Sequence, residues 1–409
     1  MPELYGVTLT RTDIERRCGA LDQFAGVRLM TLGDGLERGV RMLEFRTGTG
    51  LRFTVLVDRA MDIADCDYQG AAIGWHSPSG FRHPGLHEPE GEGGLGWLRS
   101  FSGLLMTCGL DHILFMDERD ASSFIYKPRQ MVRNSIHGRV SAIPARLLGY
   151  GERWEGDRCI LWCDGIVSQG TVFGEHLELR RRIEIEVGTN TIRLRDEVTN
   201  RGFYETPHMF CYHINLGYPL LDAGSEYVAP ISDVIWAAHE GGQYRAQEVG
   251  YNQLVGPRDN FHEQVWQHDM NADRDGRVSV AVLNARLGLG FELNVAKDEF
   301  PCMYEWQNFQ SGQYALGIEP STHHVLGARF ARERGEEILL SHGETFTYQT
   351  EFRILSGEKA LDDARRRISQ TAKQPMDPYP SPSHQFTSLD SLDGIGISQK
   401  TQSTGMNAL

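Results

Sequence analysis

The chain has 409 residues and a net charge of −14, with 41 basic side chains against 55 acidic ones. No block of Lys and Arg stands out from that acidic balance, which argues against a nucleic-acid partner. No apolar run approaches the ~18 residues that span a bilayer, which argues against a membrane protein.

The hydrophobic share of 40% is ample for one large core. The opening Met1-Pro2-Glu3-Leu4-Tyr5 has no basic segment leading into an apolar one, so no secretory signal is expected. Seven cysteines are scattered through apolar runs and no Asn-x-Ser/Thr sequon occurs, so a reducing, cytoplasmic setting is expected. Cys159 and Cys163 lie four apart with no second pair, which does not indicate zinc.

Residues 1–24 read as an N-terminal segment with a short helix over 10–18, where Thr12 and Glu15 have capping-box spacing. From Val27 the periodicity becomes two. Val40–Arg46 and Leu51–Val57 flank Thr47-Gly48-Thr49-Gly50 and predict a hairpin, with Arg59 at the exit of its second strand.

Residues 76–97 carry so many Gly and Pro that they form a long loop, a length that is usually functional or disordered. Gly91 to Gly96 matches GxGxxG, yet no strand precedes it and no helix follows, so it is not a dinucleotide fingerprint. The adjoining Trp97-Leu98-Arg99-Ser100-Phe101 suggests a loop that covers something.

Strands resume at Gly103–Asp111 and continue to Ile136–Val140. Leu177–Val187 and Ile192–Val198 alternate apolar with charged residues, giving a hairpin with one wet face on which Arg180-Arg181-Arg182 is expected to lie. Pro207 to Leu221 reads as a strand running into a turn. His208 and His213 are an odd number apart and point opposite ways, and His213 shares its face with Cys211 and Asn215.

Further strand signals run through Arg277–Leu283, Leu289–Val295, Tyr314–Glu319 and Glu344–Ile354. Residues 25–373 therefore read as one all-β domain, a large antiparallel β-sandwich with few short helices, closed by a helix from Glu358 to about Lys373. Residues 374–409 turn to Pro, Ser, Gln and Gly and are expected to be a disordered tail.

The commonest hydrolase and NTPase signatures are absent. What remains is His137 before Gly138, His213 inside its strand, and Glu319 before Pro320, where the strand is expected to stop. Two imidazoles and a carboxylate suit proton shuttling near neutral pH. The plain alternative for each is a core group bonded to a neighbour. Tyr304, Trp306 and Phe309 lie just upstream of Glu319 and offer flat rings for the apolar face of a sugar, or simply fill the core. A metal site on His323, His324 and Glu319, or on His208 and His213, would need a bulge, because adjacent or odd-spaced strand residues point apart.

These residues resemble the galactose mutarotase-like superfamily, the aldose 1-epimerases, and within it a divergent branch. The resemblance covers roughly residues 25 to 355 and rests on Ile136-His137-Gly138, Tyr212-His213-Ile214-Asn215-Leu216 and Leu316-Gly317-Ile318-Glu319. It implies a β-sandwich isomerase of a free sugar or sugar derivative that needs no cofactor and no metal. Glu319 would be the general base, His213 the general acid, and His137 a polarising group.

The same resemblance places Arg59 in the pocket. Asp111, Trp306, Trp97, Arg99 and Asn215 complete the expected substrate-binding set. The family's usual substrate-binding aspartate has no direct counterpart, and Phe261-His262-Glu263-Gln264 stands in roughly that place. A non-catalytic sugar-binding protein, or an epimerase or lyase acting on a sugar acid, are the alternatives, and a homodimer is left open.

Overall fold

The structure is a computed structural model that describes residues 1–237, 247–324 and 327–372. The expected tail at 374–409 lies outside the described residues. Three antiparallel sheets make up the body.

The first sheet has five strands and holds the predicted hairpin, Arg41–Thr47 paired with Leu51–Leu56. The second has eight strands, in the order Arg146–Glu155, Arg158–Gly170, His176–Glu186, Thr191–Asn200, Thr345–Ser356, Leu289–Ala296, Arg277–Asn284 and Glu226–Val228. The third has six: Ile231–Ala237, Gln264–Met270, Cys302–Asn308, Ala315–Ser321, Met209–Leu216 and Leu105–Leu110.

Alternation decides how the sheets pack. In Met209–Leu216, the histidine strand, Phe210, Tyr212, Ile214 and Leu216 enter a core shared with residues of the other two sheets. Met209 and Cys211 point the other way, into a second cluster with Trp75, Trp97, Phe101 and Trp306. The strand thus has one face in the core and one face on the aromatic cluster. The closing helix, Glu358–Ser369, buries Leu361, Ala364 and Ile368 at helical spacing, and Leu361 and Ile368 pack on Ala281 and Leu283.

Four local expectations need correction. The N-terminal helix is Arg11–Glu15, and its capping box is Thr10 with Asp13 rather than Thr12 with Glu15. Ile136–Val140 is a turn, not a strand: His137 and Gly138 both take positive φ, 58° and 75°.

Pro320 does not end its strand, which runs on to Ser321 and pairs Met303 with Pro320. Arg181 is not on a wet face. It alternates in register with Leu179 and Ile183, is fully buried, and its guanidinium reaches Asp62 at 2.8 Å and Asp196 at 2.6 Å. Its neighbours Arg180 and Arg182 do face solvent, with side chains 52% and 28% exposed.

Candidate active site

The glutamate strand, Ala315–Ser321, lies beside the histidine strand. Cys211 pairs with Ser321 and Ile214 with Ile318, a register that sets His213 opposite Glu319. The ladder is interrupted at those central positions, and Pro320 has no N–H to give there. Directly opposite residues share a face. His213 Nε2 accordingly lies 3.2 Å from Glu319 Oε1, with both side chains about 95% buried.

Gly317, two residues before Glu319, is on that same face. A Cβ built on it would come within 3.0 Å of Glu319 Oε1, 3.0 Å of Trp306 Cβ and 3.1 Å of His213 Cε1. Its lack of a side chain leaves room for acid and base to meet.

His137 arrives from a different direction. Its turn is pinned by His137 N–H to Leu114 O (2.8 Å), Gly109 N–H to His137 O (3.1 Å) and Arg139 N–H to Gly109 O (3.0 Å). Gly138 is required there, because a Cβ would strike Gly109 O at 2.3 Å. The turn brings the His137 ring to 5.6 Å from the His213 ring.

Aromatic rings close the site. Trp97 lies 4.4 Å from His137 and 5.8 Å from His213, Phe101 lies 4.6 Å from His213, and Trp306 lies 5.3 Å from His213, all between ring centroids. Trp75 reaches Trp306 at 6.1 Å. Trp306 Nε1 donates to Glu263 Oε2 at 2.8 Å, which draws a second carboxylate to the site.

Burial, and then the charge of Glu263, push the Glu319 carboxyl up to about 8. Burial pulls the His213 imidazole down to about 3, against the opposing effect of the Asn215 side chain. His137 is also held well below the usual histidine range by burial, with the neighbouring His213 and His112 adding to it. Nδ1 of His137, Nδ1 of His213 and Nε1 of Trp97 are buried with no hydrogen-bond partner.

The structure therefore brings together Glu319, His213, His137, Trp97 and Trp306. The other expected residues lie elsewhere or are otherwise engaged. Arg59 is buried, and its guanidinium donates to Ser141 O (3.1 Å), Arg82 O (3.3 Å) and Ser100 O (2.6 Å), so it is occupied by backbone carbonyls.

Asp111 is fully buried with both oxygens taken, one by Gln169 Nε2 (2.6 Å) and one by Arg119 Nη2 (3.1 Å), as a core ion pair. Arg99 is exposed and pairs with Glu92 within its own loop. Asn215 Nδ2 donates to Gly103 O (3.0 Å) and His213 O (3.2 Å), bracing the strand beneath the imidazole.

His208 has the satisfied-core arrangement, with Nδ1 on Leu110 O (2.9 Å) and Nε2 on the Tyr348 hydroxyl (2.6 Å). Among the described residues no group of three or more His, Cys, Asp or Glu side chains is arranged to hold a metal ion. A cleft of about 530 Å³ borders the same loop through Gly93 and Gly94, together with Asn134 and Ser135, but neither His213 nor Glu319 lines it.

The sequence gives Glu263 and Trp75 no individual role, and Gly317 only a place in Leu316-Gly317-Ile318-Glu319. For Glu263 the only signal was its place in Phe261–Gln264. For Gly317 it was the two-residue spacing from Glu319, which puts both on one face of a strand.

The backbone is similar to that of a Klebsiella pneumoniae protein named as a candidate aldose 1-epimerase, with a TM-score of 0.75, 21% identity, and coverage of 87% of this chain and 91% of that one. A galactose mutarotase-like protein from Clostridium acetobutylicum matches with a TM-score of 0.56 at 10% identity, over 82% of this chain and 99% of that one. A galactose mutarotase related enzyme from Lactobacillus acidophilus matches with a TM-score of 0.50 at 12% identity, over 75% and 95%.

No curated protein matches the chain. At these identities the likeness is one of fold, and the fold is the galactose mutarotase-like β-sandwich in a divergent form. A family model described as Domain of unknown function (DUF4432) matches residues 37–354, and the chain belongs to that family.

Proposed function

We propose that the protein is an aldose 1-epimerase-like isomerase that interconverts the anomers of a free sugar or sugar derivative by acid–base catalysis. The observation that carries this reading is the His213–Glu319 contact at 3.2 Å, buried among rings and beside His137.

Mutarotation needs a proton taken from the anomeric hydroxyl and a proton given to the ring oxygen. The open-chain aldehyde then turns about its C1–C2 bond and closes on its other face. A carboxyl and an imidazole holding one mobile proton between them supply both transfers. The single proton rests on Glu319; once it has passed to His213, opening moves the hydroxyl proton to Glu319 and the imidazole proton to the ring oxygen. Closing reverses both transfers, so no proton is gained or lost over a turnover. The flat faces of Trp97 and Trp306 suit the C–H face of a pyranose, and Glu263 is in reach of Trp306 to accept from a sugar hydroxyl.

The competent form is the one-proton state of the pair. Burial sets its limits near 3, where His213 takes a second proton, and near 8, where Glu319 loses the last one. We expect kcat/KM, after subtraction of the solvent reaction, to be level through neutral pH and to fall as pH rises past about 8. Glu263→Gln removes a charge that raises the Glu319 value, so the fall should begin at lower pH. An alkaline limb left in place by that variant would remove Glu263 from the pair's surroundings.

The test of the function itself is NMR of anomer exchange across a panel of freshly dissolved aldoses and sugar acids. Binding without accelerated exchange on any of them would favour a sugar sensor on the same fold.

A further inference from the structure

We infer that residues 82–101 are a lid over the His213–Glu319 pair and that Arg59 is the positioning residue that latches it shut. The inference rests on reading that pair as the reacting site, and it adds a gate and an element that holds it.

The starting point is access. His137, His213, Glu319 and Trp97 are 6%, 4%, 3% and 1% exposed, so no pyranose can touch both members of the pair as they stand. Some wall must move. The walls built by Met209–Leu216, Cys302–Asn308, Ala315–Ser321 and Leu105–Leu110 are neighbouring strands of one hydrogen-bonded sheet. The wall built by Trp97 and Phe101 is not in a sheet. It consists of short turns at Pro84–Leu86, Gly91–Gly94 and Gly96–Ser100. Glycines in left-handed backbone flank the segment, Gly80 at φ 62° and Gly103 at φ 118°. Inside it, the backbone is tied to the body by His83 N–H to Leu36 O at 2.8 Å and Ile136 N–H to Gly94 O at 3.0 Å.

Both ends of the segment converge on Arg59. Its Nη1 holds Arg82 O and its Nη2 holds Ser100 O, while its Nε is fixed to Ser141 O on the body. One planar fork therefore clamps the two ends of the lid to the scaffold, a geometry a point-like ammonium cannot reproduce.

The closed lid also carries an unmet demand. Trp97 Nε1 is buried without an acceptor, as are Nδ1 of His137 and Nδ1 of His213 beneath it. A buried polar atom without a partner is costly. Three such atoms gathered under one flap are suited to the hydroxyls of a bound ligand, so that occupancy favours closure.

The test measures access rather than turnover. The full chain is treated with diethyl pyrocarbonate and carbethoxylation is followed by mass spectrometry at His137, His213 and His208. His208, fully buried and bonded at both nitrogens, reports global unfolding. In Arg59→Lys we expect His137 and His213 to be modified at least about tenfold faster than in the native protein, with His208 unchanged. Unchanged rates at His213 in a folded variant, or a rise shared equally by His208, would overturn the latch.

Should Arg59→Lys fail to fold, His87→Ala carries the test on the same three histidines. It removes only the link from His87 Nδ1 to Ser100 Oγ at 3.1 Å and should give a smaller rise confined to His137 and His213. A uniform or absent change there would overturn the lid. A protein that exchanges no anomers can still pass this test, so the two readings fail separately.

Discussion

Glu319→Gln is expected to slow anomer exchange by ~10²- to 10⁴-fold while the fold survives, the usual cost of losing a positioned acid–base group. The amide keeps the shape of the carboxyl beside His213, but it cannot take a proton. Stability should respond with a sign that follows from the raised carboxyl. In the native protein the folded-state value, about 8, lies above the ordinary 4.5 because of burial and then Glu263. The stability this group contributes is fully present below about 4.5 and is lost as pH rises through about 8.

Glutamine resembles the protonated carboxyl at every pH. The variant should therefore melt like the native protein in acid and at a higher temperature than it above pH 8. Native exchange rates on the best sugar would sink the catalytic assignment. His213→Asn belongs in the same experiment and should lose activity to a similar degree.

Arg181→Met should be the most damaging single change in the body, at about 3–5 kcal/mol, because removing one partner strands buried charge. Arg181 Nη1 donates to Asp62 and to Ala60 O, and its Nε and Nη2 donate to Asp196 and the Thr107 hydroxyl. Asp196 also accepts from the Tyr212 hydroxyl at 2.7 Å, on the back of the strand that carries His213. The charge of Arg181 thus braces three sheets at once. Urea unfolding would measure the loss. Arg180→Met, one residue away and half exposed, should cost no more than about 1 kcal/mol by the same measure. Equal losses in the two variants would contradict the burial pattern.

That contrast shows what the sequence made legible and what it hid. The hairpins were readable because charged and apolar residues alternate strictly in Leu177–Val187 and apolar runs flank Thr47–Gly50. The same alternation places Arg181 inward between Leu179 and Ile183, but three arginines in a row read as one block. Identifying it as buried requires Asp62 and Asp196, which lie 119 and 15 positions away.

His213 and Glu319 stood out through their flanks, an imidazole among apolar strand residues and a carboxylate before a proline. Their contact depends on the register of two strands about a hundred residues apart, which no local pattern encodes. The resemblance put Arg59 in the pocket, and only the fold shows that backbone carbonyls take its guanidinium and that side chains take both oxygens of Asp111. Apolar neighbours make His137 read as a strand residue. The following glycine, in a crossing too tight for any Cβ, was the cue for a turn.

Gly317 carries a further consequence, for how such a scaffold changes trade. The gap between proton donor and acceptor is bounded by contacts of about 3 Å to an imagined methyl group, at a position whose backbone any residue can adopt. The smallest substitution in protein chemistry, one carbon, would press between the imidazole and the carboxylate and against Trp306 Cβ on the paired strand. Gly317→Ala should accordingly separate capture from conversion: sugar affinity retained within about tenfold by calorimetry, exchange lost by NMR. A lineage that needed a receptor in place of a catalyst would have that path one codon away.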